Sequence, residues 1–294
     1  MGTGLIWTAC DLLCVGYGFN PAITRDRYYP PTAGLEWLQQ DKSAHRILAG
    51  GRTLAPDTAE VYGLSDARGL DYMGVRRYEE LITGKAGAFF FYRRADAMPA
   101  AFPLLNVKYI MGEGALPLNP RLFDLVYSNE VCIYQYKECR ERAMAVYDCQ
   151  VEPDSKAVLD RVRADGFDPR RVLLLEQEPE AAKKASGAGG GEESVRIVSY
   201  EPDEVSIEAT LPRAGYLLLL DTYFPGWTAT VNGRPARIMR ADYNFRAVAL
   251  GAGESTVRFT YFPRSLETGL LLSAAGAAWV WVAWLLGRSR KRED

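Results

Sequence analysis

Asp221, Tyr223, Phe224 and Trp227 fall in one short stretch around the turn Pro225-Gly226. Flat aromatic faces stack on the C–H faces of sugars, and β-folds often present such platforms, so this cluster is the best ligand candidate in the chain. Asp221 ends the apolar run Leu217–Leu220, where a carboxylate can accept a sugar hydroxyl. Asn244 and Arg246 can add polar contacts to the same edge. Each residue also has a plainer and commoner role. Trp227 can plug a core, Phe224 can pack beneath a tight turn, and Asp221 can fix that turn by hydrogen bonds. Asn244 and Arg246 equally suit an ordinary strand entrance.

Other chemistry has less to build on. His45 is the only histidine, so a Ser–His–Asp arrangement or a His-rich metal site would have to use it. Asp66 with Asp71, or Glu79 with Glu80, can be imagined flanking a glycosidic bond, but among 37 acidic residues such neighbours arise by chance. Arg76 and Arg77, or Arg93 and Arg94, can meet lipid phosphates or acidic polymers, or simply form a solvated face. Gly189-Gly190-Gly191 lacks the strand-to-helix context of a phosphate loop. Cys10, Cys14, Cys132, Cys139 and Cys149 include no pair with the gap of a zinc knuckle or redox motif. No catalytic residue, metal or cofactor is therefore expected. One disulfide among the last three cysteines is open if the chain lies outside the cytoplasm, and an odd count leaves a thiol unpaired. The net charge of −2 gathers no nucleic acid, so none is expected as a partner.

The elements around these residues change texture along the chain. Residues 22–178 read as a mixed α+β domain. Thr32 caps a helix to Gln40, Arg46–Ala49 is a strand, and Val75–Ile82 is a helix closed by Gly84. Val107–Met111, Val131–Tyr136 and Ala143–Tyr147 are strands, Ser155 caps a helix to Asp165, and Arg171–Glu176 returns as a strand. Residues 179–194 are rich in Ala, Gly and charge and read as a flexible linker. Residues 195–263 hold seven short strands: Val195–Tyr200, Val205–Leu211, Tyr216–Tyr223, Thr228–Val231, Ala236–Met239, Phe245–Ala249 and Val257–Phe262. The spacing fits a small all-β sandwich of jelly-roll or immunoglobulin-like type, with Asn232-Gly233 as a hairpin turn.

Both ends are apolar. Gly269–Gly287 carries no charge or proline and, as a helix, reaches about 28 Å, close to the ~30 Å hydrocarbon core. Trp279, Trp281 and Trp284 crowd its basic end like an interfacial belt, and its small residues allow close helix packing in a bilayer. Residues 266–287 therefore read as a transmembrane helix, with the lipid bilayer as partner. The tail 288–294, with Arg288, Arg290, Lys291 and Arg292, is expected in the cytoplasm, which puts the bulk of the chain on the extracytoplasmic side of the cell membrane. Residues 1–21 contain Leu5–Gly18, apolar but short and interrupted by Asp11, and read as a partial transmembrane helix and its exit.

Several patterns in order resemble one family. Asp221–Gly233 (DTYFPGWTATVNG), Asn244–Pro263 and the helix directly after them resemble the C-terminal part of bacterial YfhO-type membrane proteins. Leu104–Met111, Arg140–Val146, Gly166–Glu176, Phe19–Pro21 and Tyr62–Met73 are similar to the same family's extracytoplasmic region. The resemblance implies a large polytopic protein akin to GT-C glycosyltransferases, which decorate envelope polymers from polyprenyl-phosphate sugars. The catalytic carboxylate of that fold belongs to an N-terminal membrane bundle, so no catalytic residue carries over to these positions. The chain then needs a polytopic membrane partner or the bundle itself. The other reading is a membrane-tethered surface module that binds an envelope glycan or a protein.

Overall fold

The computed structural model describes residues 2–17, 19, 23–51, 53–55, 57–68, 74–84, 102–179 and 192–290. The expectations for Asp71, Arg93, Arg94, Gly189–Gly191, Lys291 and Arg292, and for most of the linker, lie outside these residues.

Helix α1 covers Gly2–Gly16, α2 Arg25–Tyr28 and α3 Ala33–Leu38, the last capped by the Thr32 hydroxyl, which accepts from Leu35 N. Strands β1 (Arg46–Ala49) and β2 (Ser65–Asp66) precede α4 (Arg76–Thr83), which stops at Gly84 in the left-handed region. After α5 (Phe102–Leu105) come β3 (Val107–Gly112), β4 (Phe123–Ser128) and β5 (Cys132–Tyr136). These five strands form one sheet in the order β2-β1-β3-β5-β4. Next are β6 (Ala143–Val146), β7 (Cys149–Val151), α6 (Ser155–Val162) and β8 (Leu173–Leu175). Asp154 rather than Ser155 caps α6, its carboxylate accepting from Lys156 N. Strand β4 escapes sequence reading because it is an edge strand with little buried surface and so little alternation.

The rest is β until the last helix: β9 (Ser194–Tyr200), β10 (Glu204–Leu211), β11 (Gly215–Thr222), β12 (Trp227–Val231), β13 (Arg234–Ala236), β14 (Met239–Ala241), β15 (Phe245–Leu250), β16 (Gly253–Tyr261), then α7 (Arg264–Arg290). They enter two sheets, β13-β12-β16-β10-β9 and β6-β11-β15-β14-β8-β7. The expected single strand Ala236–Met239 is in fact the crossing between them. Asn232 and Gly233, with φ of 51° and 74°, turn β13 back on β12, while β14 pairs with β15 in the other sheet. The six-stranded sheet also takes β6, β7 and β8 from upstream of the linker, so both sides of that linker share one sheet.

Strand β11 shows why its run of leucines does not alternate with polar residues. Leu217 and Leu219, with Val248 and Leu250 of β15, face Ile207 and Leu211 of β10 and Phe259 of β16, across the space between the two sheets. Leu218 and Leu220 face the opposite way, onto Leu81 of α4, Val158 and Val162 of α6 and Ile110 of β3. A strand covered on both faces reads as continuously apolar. A third cluster lies on the far side of the first sheet, where Leu35 and Leu38 of α3 cover Ile47, Tyr109 and Ile133.

Among the described residues α7 is the one helix long and apolar enough to cross a membrane, and none of its apolar window is buried against the rest of the chain. It leaves β16 through Pro263, against which Gly226 packs. Gly226 has φ of 107°, and a Cβ there would come within 2.8 Å of the Tyr261 ring. Gly226→Ala is expected to cost about 1–3 kcal/mol through backbone strain and overpacking, read as a lower unfolding temperature.

Candidate functional site

Asp221 is almost fully buried at the end of β11, on the same face as Leu217 and Leu219, and so closes one end of the space between the two β-sheets. An irregular register between Leu219 and Thr222 relaxes the pairing of β11 with β15 at this point. Three arginines converge on the carboxylate. Arg46, at the start of β1, donates to Oδ1 at 2.9 Å and also to the carbonyls of Leu105 and Leu220. Arg142, just before β6, donates from Nε to Oδ1 at 3.0 Å. Arg246 of β15 donates to Oδ2 at 2.9 Å. The Tyr200 hydroxyl, from the end of β9, donates to Oδ2 at 2.9 Å and accepts from Arg142 Nη2. One carboxylate thus joins all three sheets.

The electrostatics follow from that count. Burial works against the Asp221 charge, but Arg142, Arg46 and Arg246 outweigh it and hold the carboxyl at about 2. Burial, reinforced by Asp221, pushes the Tyr200 phenol up to about 12, so it stays a donor. Three guanidinium groups facing one carboxylate leave excess positive charge in the cluster. Arg246 relieves part of this by lying over the Trp227 ring, 3.9 Å from its centroid, and 5.2 Å from that of Phe259.

The candidates read from the sequence therefore separate. Asp221, Arg246 and Trp227 come together, with Trp227 half-buried against the inter-sheet core and near Tyr261. Every Asp221 oxygen is engaged by protein donors. Asn244 is buried and donates to the Thr222 hydroxyl. Tyr223 turns to Arg240, whose guanidinium lies 4.5 Å from its ring centroid, and Phe224 is exposed.

The remaining expectations have structural partners. His45 is close to Ser43 and Asp41, but all three contacts are made by the same ring nitrogen. The Ser43 carbonyl, 2.9 Å away, can only accept, so Nδ1 carries the proton and does not take one from the Ser43 hydroxyl. Asp66 holds Arg68, which in turn donates to the carbonyls of Ala49 and Leu54. Glu80 accepts from Arg76 and from the Tyr243 hydroxyl, which is the main reason its carboxyl titrates low. Arg77 makes a two-pronged contact with Glu176. All five cysteines are free thiols.

Arg46, Arg142 and Tyr200 are the cluster members that sequence reading missed. Arg46 begins a predicted strand, Arg142 precedes one and Tyr200 ends one, places where an isolated polar residue is unremarkable. Only the convergence of three sheets brings them to Asp221.

The family model described as bacterial membrane protein YfhO matches residues 175–273, which run from the end of β8 through β9–β16 into the first turns of α7. An uncharacterized protein YfhO of Bacillus subtilis (strain 168) is 22% identical over 107 residues, 36% of this chain. The match spans only 12% of that relative's length. Comparison with solved structures gives no significant match. Asp221, Arg246 and Tyr200 lie inside the matched segment, whereas Arg46 and Arg142 reach it from outside. Over residues 175–273 this chain is thus similar to the YfhO family of bacterial membrane proteins.

Proposed function

We propose that the chain is an extracytoplasmic region of a YfhO-type, GT-C-like envelope glycosyltransferase system, held at the cell membrane by α7, and that it serves sugar transfer without supplying the catalytic group. The observation that carries this reading is the continuity of the family match from the β-strands into α7, a helix with none of its apolar window buried among the described residues. An apolar helix of this length and exposure needs a bilayer or other membrane helices around it. The arginines and lysine after it favour a cytoplasmic tail. The two sheets facing each other across one core support a jelly-roll or immunoglobulin-like sandwich seated directly on the membrane. Helix α1, apolar and exposed at Trp7, Leu12 and Leu13, gives a second surface for the polytopic membrane partner.

Paired fusions after Asp294 test the orientation. A fluorescent protein that matures only in the cytoplasm is expected to be bright there, and alkaline phosphatase at the same position is expected to be inactive. The opposite pair of results would reject an extracytoplasmic body.

A further inference from the structure

Beside the Asp221 cluster the surface opens into two adjoining clefts of about 500 and 560 Å³. They share the segment Lys42–His45 together with Arg142 and Tyr200. The second cleft continues along the free edge of β9 and past Lys108 and Arg140.

The charge lining them is one-sided. Five cations, Lys42, Lys108, Arg140, Arg142 and Arg196, meet two carboxylates, Asp41 and Glu141. Asp41 is already taken by Lys108 and the Tyr109 hydroxyl, and Arg196 turns outward to Glu208. Behind the floor, Arg46 and Arg246 add positive charge that, among the described residues, Asp221 alone offsets. Among the described residues no hydrogen bond uses Arg142 Nη1 or Lys42 Nζ, and Arg140 Nε is buried without a partner. A concave surface of one sign focuses its field and concentrates the opposite charge, in a chain whose overall balance is slightly negative.

We infer that this double cleft is a binding site for a phosphate-bearing anion, with Lys42 and the free edge of the Arg142 guanidinium as its principal donors. A guanidinium held rigidly by Asp221 and Tyr200 is pre-oriented for a tetrahedral oxyanion, and the exposed Lys42 that lines the same clefts adds a second cationic donor. Neither the ligand class nor the residues depend on which side of the membrane the body occupies.

Calorimetry on the full chain in neutral detergent, with inorganic pyrophosphate as probe, tests this directly. Saturable, salt-sensitive binding is expected, weakened about tenfold by Lys42→Glu with no change in unfolding temperature, because Lys42 is exposed. Lys156→Glu, an equal charge change on exposed α6 surface, is expected to bind like the parent. Repeating the titration in nanodiscs of phosphatidylglycerol and of phosphatidylcholine separates the sources. Weaker pyrophosphate binding in phosphatidylglycerol assigns the cleft to lipid headgroups, and equal binding assigns it to a free phosphate ligand. Absence of saturable binding in detergent, or equal weakening by the two lysine variants, overturns the inference.

Discussion

Asp221→Ala is expected to lower stability by about 3–5 kcal/mol, because it strips from three converging arginines the one carboxylate that pairs with them among the described residues and leaves their charges buried and uncompensated. Arg142 and Arg246 are almost completely buried and cannot swing into water without opening the contact between the sheets. Asp221→Asn keeps the shape and one acceptor oxygen but not the charge, so most of the loss is expected to persist. Chemical denaturation of the full chain in detergent measures both. The pH dependence has a definite sign. The folded-state pKa lies below the ordinary 3.8, so the stabilisation is present above about pH 4 and is lost as pH falls through about 2. In the alanine variant that acid-side loss should disappear. Equal stability of Asp221→Ala and the parent would mean the cluster contributes nothing to joining the sheets.

Asp242 should show the opposite dependence. It is wholly buried between β14 and β15, with a positive φ of 45°, and extends the sheet by exchanging hydrogen bonds with Leu174: its own N–H donates to the Leu174 carbonyl and its Oδ1 accepts from Leu174 N. Burial without a cationic partner raises its carboxyl from 3.8 to about 8. The folded state therefore holds a proton that the unfolded chain releases near pH 4. Its contribution to stability is complete below that pH, declines as pH rises and is gone above about 8, a change on the order of a few kcal/mol. Asp242→Asn tolerates the left-handed backbone and keeps the acceptor for Leu174 N, so it is expected to abolish the slope between pH 4 and 8. Unfolding midpoints of parent and variant at several pH values, compared pairwise, give the difference. Parallel pH profiles would show that Asp242 is ionised in the folded protein.

Local signals were enough to read most elements. The Thr32 cap, the stop at Gly84, the Asn232-Gly233 hairpin and the apolar length of α7 are each fixed by residues within a few positions of one another. What the sequence hid is non-local. Strand Leu173–Leu175 gives no sign that it pairs with β7 and β14, so the sharing of one sheet across the linker was illegible. The same limit governed the site. Asp221 and Arg246 could be placed on one edge from hairpin spacing, but their other partners stand 175 and 79 residues away along the chain, at Arg46 and Arg142. The surroundings of the aromatic residues were hidden for a related reason. Tyr223 and Trp227 lie against Arg240 and Arg246, which pair across β14 and β15, contacts that spacing around Pro225-Gly226 does not reveal.

The proposed topology is most directly tested by labelling intact cells with a membrane-impermeant maleimide. Glu208→Cys places a thiol on the exposed face of β10, where the native side chain makes only a surface pair with Arg196. One additional label per chain, relative to the parent sequence and without permeabilisation, is the expected result. An additional label that appears only after the membrane is opened would put the β-strand unit in the cytoplasm and contradict the proposed role outside it.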